Sequence, residues 1–468
     1  MKGKILCLFL LPQFLLGACT ADQNIALKTA TPEPIAVVIE TEETHVADTQ
    51  EQPPPFPDML PQGIELEFWH PWSGEMANLI DDLVDEYNKS NDWGIQVFSS
   101  AHADERIFMQ DFLTLQVGEV SPDILAAPPY FLQYLKEGGG ELVYLDHYVD
   151  SPNWGFPEGE SSHFIPLFWD ADLINGRRIA VPAYRTGYFL FLNKTWANEL
   201  GFEENYSNNS SFRELVCAAA RQYRFDDDPE NDGIGGLIFT YDAYAILAWL
   251  KAFGGNYPDG SMDANIYKND ENALAIGYLY DLYFDDCAWT GQQPLPYQYF
   301  SNRKGIAYSG RMEDFFIQEQ VNSINGVLDK WTVIPYPPEE GKPVVLVDGF
   351  SYAIRGTDEE KSLAAWDFIR WMLRVENQVK VVETTGSFPL STDAILQLDD
   401  FKESHPVWAD SLQYLPLAQV STSTSNWMVA QDIISDISRR LVQFTTSKED
   451  ILFLLESADI LFVELQEE

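Results

Sequence analysis

Residues 64–127 switch repeatedly between a two-residue and a helical periodicity, and that alternation restricts the chain to a layered α/β architecture. Ile64-Glu65-Leu66-Glu67-Phe68-Trp69 alternates as a half-buried strand does. Beyond the loop Trp69-His70-Pro71-Trp72-Ser73-Gly74, apolar residues recur at Met76, Leu79, Ile80, Leu83, Val84 and Tyr87, the stripe of an amphipathic helix. Ile95 to Phe98 gives a second strand, Ile107 to Val117 a second helix, and Pro122 to Ala127 a third strand. Strands alternating with helices predict a mostly parallel sheet with helices on both faces, where ligands gather beyond the carboxyl ends of the strands. Further strands are expected at Arg178 to Pro182 and Tyr188 to Asn193. Ser211, three residues before Glu214, has the spacing of an N-cap opening the helix Phe212 to Tyr223, and Leu363 to Arg374 and Met428 to Leu441 carry strong helical patterns.

Charge then narrows the function. With 29 Lys and Arg against 73 Asp and Glu the net charge is −44, and no basic block is present, so nucleic acid is excluded as a partner. The six His have no metal-ligand spacing, and four Cys, at 7, 19, 217 and 287, provide neither a disulfide framework nor a zinc site. Cys217 and Cys287 could pair in an oxidising exterior, but sequence separation says nothing about their distance, and the reading taken is two unpaired or buried thiols. No Gly-x-Ser-x-Gly elbow, His-Glu-x-x-His helix or phosphate-binding Gly-x4-Gly-Lys loop occurs, and nothing calls for a cofactor.

The N-terminus reads as an address. Lys2 and Lys4 precede an apolar run, Ile5 to Leu16, too short to remain as a membrane span, so residues 1–18 are expected to be a signal peptide. Leu16-Gly17-Ala18-Cys19 resembles a bacterial lipobox, which implies a diacylglycerol on Cys19 and a site on the outer face of the cell membrane. Residues 19–61 are rich in Thr, Glu and Pro without apolar periodicity, the composition of an extended tether.

Along residues 62–468 a series of short motifs follows a familiar order. Phe68-Trp69-His70 ends the first strand, Ser121-Pro122-Asp123-Ile124 opens the third, and Gly176 through Val181-Pro182 leads to Leu192-Asn193-Lys194. Ser211-Phe212-Arg213-Glu214-Leu215, Phe253-Gly254-Gly255-Asn256, Gly305 to Gly310, Val333-Ile334-Pro335-Tyr336-Pro337, Asp348-Gly349 before Tyr352-Ala353-Ile354, and Thr385-Gly386-Ser387-Phe388-Pro389 continue it. In this order the chain resembles the family 1 extracellular solute-binding proteins, sugar-binding components of bacterial ABC importers. Asp348 stands where that family usually has a first Gly. The resemblance implies a two-lobe, type II periplasmic-binding-protein-like fold, α/β, with hinge-linked lobes and a central cleft. Lobe 1 would comprise 62–183 and 350–390, and lobe 2 would comprise 184–349 and 391–468. It further implies a monomer that takes a carbohydrate, most simply an oligosaccharide, to ABC permease subunits and meets the membrane through its lipid alone.

A pyranose presents apolar C–H faces rimmed by hydroxyls, so its site needs aromatic platforms and a few planar hydrogen-bonding groups. Trp69 and Trp72, in the first strand-to-helix loop, suit either a platform or a lid on the core. The resemblance adds Tyr130, Tyr184, Arg185, Tyr244, Arg311, Phe350 and Trp427 as ligand-binding candidates. Trp427 opens a helix whose apolar stripe is already supplied by Val429, Ile433, Ile434 and Ile437, while Arg185 and Arg311 suit an ion pair equally well. Asp228, Glu230 and Asp232 resemble the start of a calcium loop, but Phe239 occupies the twelfth place, where a bidentate Glu is needed. Two other functions stay open. Paired carboxylates could make an anchored glycoside hydrolase, and the same cleft could serve a sensory lipoprotein without a transporter.

Overall fold

The element order follows from the two periodicities. In the computed structural model, which describes residues 56–60, 62–116, 120–157, 159–203, 206–257, 265–292, 295–356, 358–421 and 424–466, the first units are β1 (Glu65–His70), α1 (Gly74–Ser90), β2 (Gln96–Ala101), α2 (Glu105–Leu113), β3 (Ile124–Ala127) and α3 (Pro129–Glu137). A long strand follows, β4 (Val181–Asn193), then α4 (Asn209–Arg224), β5 (Gly235–Ile238), α5 (Ala243–Ala252), α6 (Asp270–Phe284), β6 (Ala288–Trp289), β7 (Gly305–Arg311), α7 (Asp314–Ile324) and β8 (Trp331–Ile334). The chain then returns through β9 (Val345–Ile354) to α8 (Glu359–Met372) and α9 (Val375–Thr385), and ends with β10 (Ala418–Val420), α10 (Trp427–Leu441) and α11 (Ile451–Gln466). The signal peptide, Cys19 and the tether as far as residue 55 lie outside the described residues.

One sheet runs through the body in the order β2-β1-β3-β9-β4-β7-β5-β6, with β8 beside β4 and β10 beside β9. It is mixed, not mostly parallel. β1 pairs in parallel with β2 and β3, and β5 with β6 and β7. The central strands β4 and β9 are antiparallel to each other, and each is antiparallel to its outer neighbour. The reason is topological: β4 carries the chain from the first half to the second and β9 brings it back, so the two must run in opposite directions. Arg178 to Pro182 and Tyr188 to Asn193 therefore do not form two strands; Val181–Asn193 is one, and every one of its residues is buried.

Both faces of the sheet are covered. Leu66 and Phe68 of β1 and Phe189 and Phe191 of β4 join one apolar cluster, with α1 and α8. Tyr188, Leu190 and Leu192 of β4 join the other, with α4, α5, α6 and α10. This is the two-residue period of a strand buried on both sides. α4 begins earlier than its sequence suggests: Asn208, not Ser211, is the N-cap, and Ser211 at N3 completes a capping box with it. The body also starts before residue 62. Leu60 is buried, Phe56 lies against His147 and Tyr148, and Trp154 Nε1 donates to Pro57 O at 2.8 Å. Among the described residues no helix is long and apolar enough to cross a membrane.

Cys217 in α4 and Cys287 just before β6 form a disulfide, with Cα atoms 4.3 Å apart, which corrects the expectation of free thiols. Two residues 70 apart in sequence are brought together because α4 packs beside β5 and β6. Removing the bridge with C217S/C287S should lower stability by about 2–4 kcal/mol, since the cross-link constrains a long loop of the unfolded chain. Guanidinium unfolding with and without the substitutions measures this, and equal midpoints would show that the thiols do not pair.

Candidate functional site

β4 and β9 cross side by side at residues where the sequence placed the turn from one lobe to the other. Tyr184 pairs with Phe350, Arg185 with Gly349 and Thr186 with Asp348, and the register slips between Phe350 and Ser351. A side chain could not replace Gly349. Its φ is 153°, and a Cβ there would lie 2.0 Å from Tyr184 O.

Arg185 is committed at this crossing to the ion pair that its sequence allowed alongside solute binding. Its guanidinium donates to Phe350 O at 2.6 Å, Tyr184 O at 3.0 Å, Ser351 Oγ at 2.9 Å and Asp172 Oδ2 at 3.2 Å. Both ionic side chains are 1% exposed. Burial pushes Asp172 up and Arg185 down in pKa, each against the pull of its partner. Desolvation thus outweighs the combined Coulombic and hydrogen-bonding pull at both groups, so removing either partner alone is costly while the intact pair is no large net gain.

Beyond the crossing, side chains from both halves converge on a recess. Tyr188 of β4 stacks on Tyr244 of α5 with ring centroids 5.3 Å apart, and the Arg311 guanidinium at the end of β7 stands 5.4 Å over the Tyr188 ring. Arg311 stays open to solvent although protein closes round it, the situation of a group lining a concavity. Asp348 of β9 faces Arg311 and Tyr244 and accepts from Ser421 Oγ at 3.2 Å. From the first half, Glu105 at the start of α2 accepts a hydrogen bond from Tyr130 Oη. Glu313 accepts from Thr186 Oγ1 at 2.5 Å, and Asp314 accepts from Tyr297 Oη at 2.8 Å and Arg311 N at 2.9 Å. Burial, reinforced by Asp348, pushes Glu105 up to about 7, and burial raises Glu313, Asp314 and Asp348 as well.

Trp427, the leading aromatic candidate from sequence, turns out to stand behind the recess. It is fully buried, its ring lies 5.1 Å from that of Tyr244, and its Nε1 donates to Tyr244 Oη at 3.0 Å. α10 begins at Trp427 and buries Ala430, Ile433, Ile434, Ile437 and Leu441 on the same stripe, so the indole belongs to that stripe and holds Tyr244 in place. A second aromatic group flanks the crossing. Phe350, half-buried, lies 5.9 Å from Trp72 and 6.2 Å from Tyr184. Trp69 points elsewhere, packed 4.5 Å from His102 within the core.

The structure therefore brings Tyr130, Tyr244 and Arg311 to one recess, gathers Trp72, Tyr184 and Phe350 beside it, and withdraws Trp69, Arg185 and Trp427 into packing. Sequence reasoning missed Glu105, Tyr188, Glu313, Asp314 and the role of Asp348. Only the last left a signal, an acid in place of an expected glycine. At 226–232 the carboxylates serve their own loop: Asp226 accepts from Asp228 N and Asp228 from Glu230 N, at 2.8 and 3.0 Å. Among the described residues no group of three or more His, Cys, Asp or Glu is placed to hold a metal ion. Two separate hollows, of about 460 Å³ beside Lys194 and Tyr414 and about 410 Å³ beside Trp93 and Trp371, contain none of the candidate residues.

A mixed sheet crossed by two antiparallel strands, with helices on both faces and a recess past the crossing, defines the two-lobe α/β fold of periplasmic binding proteins. Residues 82–410 match the family described as bacterial extracellular solute-binding protein, and the chain belongs to that family. Among solved structures it is similar to the sugar-binding protein MalE of Xanthomonas citri, with TM-score 0.71 and 17% identity over 86% of this chain and 98% of that one. It is also similar to the cyclic alpha-maltosyl-1,6-maltose binding protein of Arthrobacter globiformis, with TM-score 0.68 and 18% identity over 86% and 99%. An ABC substrate-binding protein of Listeria monocytogenes, solved with cycloalternan, gives TM-score 0.69 and 16% identity over 87% and 100%. No curated protein sequence matches the chain.

Two outcomes test this geometry. Arg185→Met should destabilise the chain by about 3–5 kcal/mol, because Asp172 is left buried without its cation, and adding Asp172→Asn should recover part of the loss. Denaturant midpoints read both, and additive effects would show that the two side chains do not interact. His70, buried at the end of β1 with neither ring nitrogen hydrogen-bonded among the described residues, has its pKa lowered by burial to about 4. The unfolded state then binds the proton first, so stability present above pH 6.5 is lost as the pH falls toward 4, by about 3 kcal/mol. Replacing His70 with Phe should flatten that part of the stability–pH curve, and an unchanged slope would assign it to other groups.

Proposed function

We propose that this chain captures a saccharide, most simply an oligosaccharide, in the recess past the β4–β9 crossing and delivers it to an ABC permease. The observation that carries this reading is the convergence of the stacked Tyr188–Tyr244 pair with Arg311 and hydrogen-bonding carboxylates from both halves. Such a surface offers an aromatic edge for a sugar's C–H face and planar groups for its hydroxyls. The sugar ligands named for the neighbouring structures agree with it. Lobe 1, at 62–183 and 350–390, would supply Glu105, Tyr130 and the Trp72–Phe350 group. Lobe 2, at 184–349 and 391–468, would supply Tyr188, Tyr244, Arg311 and Glu313.

On this reading the protein works by population shift. Solute touching both lobes stabilises the closed arrangement by its differential affinity, and that arrangement docks on the permease. Capture involves no bond breaking, so stoichiometric binding without release of reducing sugar is expected. The lipobox-like Cys19 would hold the chain at the outer face of the membrane as a monomer, with the Pro-rich segment as its tether.

Thermal-shift measurements on the chain against maltotriose, cellotriose and cyclic glucans should find at least one that raises the midpoint. Arg311→Ala should then weaken that saccharide tenfold or more. Trp427→Phe, which removes the indole N–H from Tyr244, should weaken it several-fold. If no saccharide shifts the midpoint, the reading fails, and if the two substitutions leave affinity unchanged, the solute sits elsewhere.

A further inference from the structure

One hollow away from the recess has the composition of a binding site in its own right. The cavity of about 410 Å³ beside Trp93 and Trp371 lies in the size range of small-ligand pockets. Three of the chain's 13 Trp line it, Trp93, Trp154 and Trp371, together with Tyr87. Trp154 and Trp371 are buried in the apolar cluster on that face of the sheet, whereas Trp93, in the turn between α1 and β2, is only half-buried. Ile95, two residues on, is fully buried and anchors the turn in the core, so the Trp93 indole is left to serve as an open wall.

The walls are fixed by the protein itself. Trp93 N donates to Asn91 Oδ1 at 3.2 Å, and Trp93 O accepts from Gly63 N at 3.0 Å. The Trp154 ring stands 5.9 Å from that of Trp93, and its Nε1 is tied to Pro57 O at 2.8 Å. Tyr87 Oη donates to Asp367 Oδ2 at 2.8 Å, while Arg370 donates to Asp367 Oδ1 at 3.0 Å and to Gly155 O at 3.1 Å. Groups already held in this way lose little freedom when a ligand arrives. Charge around the hollow nearly cancels, with Asp58, Asp92 and Asp367 set against Arg370 and Arg374, in a chain whose total is −44. Neither an ammonium nor a phosphate is favoured there by charge. The ligand that suits indole walls and a rim of planar donors and acceptors is a neutral one with apolar faces edged by hydroxyls, which is the chemistry of a pyranose.

The hollow is also remote from the recess. α1 starts at Gly74, next to Trp72, and ends at Ser90, which lines the hollow; its 17 residues at 1.5 Å each separate the two ends by about 25 Å. A single sugar ring cannot serve both places. We propose that the hollow is a second, independent saccharide site, in which one unit of a neutral saccharide lies on the Trp93 indole and the exposed Arg374 and Asp92 side chains bind its hydroxyls. Its lining comes from residues 58–154 and 367–374, all outside the proposed lobe 2. A saccharide held there touches one lobe alone, so it has no differential affinity for a closed arrangement and is retained without being enclosed.

Isothermal titration calorimetry of the full chain with maltotriose, cellotriose and the N-acetylglucosamine trisaccharide tests this. At least one of the three should show a binding event that Trp93→Ala weakens tenfold or more and Arg374→Ala several-fold, and that Arg311→Ala leaves unchanged. Melting curves check that the variants are folded, and Arg374, being exposed, gives a readout even if Trp93→Ala disturbs the turn. Inorganic phosphate should not compete for this event; competition would show that the hollow reads charge and would overturn the proposal. Saccharide binding that survives both Trp93→Ala and Arg374→Ala, or that is lost only with Arg311→Ala, also overturns it while leaving capture in the recess standing. An event sensitive to Trp93 and Arg374, with none sensitive to Arg311, upholds the second site and removes the recess reading. Silence from all three trisaccharides overturns the second site.

Discussion

The antiparallel pairing of β4 with β9 is the contact on which the rest of the molecule depends. These are the strands by which the chain passes from one half to the other and back, so their register fixes where the two sets of loops face each other. The pairing is held by close approach at Gly349, where a side chain would collide with Tyr184 O, and by the Arg185 guanidinium, which ties Tyr184, Phe350, Ser351 and Asp172 together. A slip of register between Phe350 and Ser351 breaks the regular ladder at this point. Irregular pairing at a crossing is where a sheet can bend without breaking its neighbours.

The recess follows from that geometry. Tyr188 and Asp348 stand on the two crossing strands, and helices from both sides bring Glu105, Tyr244 and Asp314 toward them. Desolvation then decides the chemistry. Carboxylates that would be ordinary on the surface are drawn toward their neutral forms, and aromatic rings that could have been plain core acquire a charged partner in Arg311. The overall charge of −44 sets a repulsive background for anions, but the arrangement of the few buried acids, not the total, gives the recess its character.

Much of this was legible beforehand. The alternation of Ile64 to Trp69 and the stripe from Met76 to Tyr87 mark β1 and α1 within a residue or two, because burial of one face imposes a period that local sequence must obey. The ordered motifs place the family correctly, and the candidates Tyr130, Tyr244 and Arg311 do meet. Other readings failed for identifiable reasons. A strand buried on both faces shows no alternation, so β4 looked like two pieces. Trp427 opens a helix, a position that can be the first rung of a buried stripe as easily as an open platform, and here it is the former.

What the amino-acid sequence settled by itself is therefore local and compositional: most of the strands and helices of the first half, the family they spell out, and a strongly acidic composition. Periodicity, turn chemistry and charge balance act over a few residues or over the whole composition, and both are read without coordinates. What only the tertiary structure decided is partnership across long separations: that Cys217 meets Cys287, that Arg185 is spent on Asp172 while Arg311 stays open, and that Glu105, Glu313 and Asp348 face one recess. Desolvation and hydrogen bonding depend on what surrounds a group in space, and neighbours brought together by strands that cross and return leave no pattern along the chain.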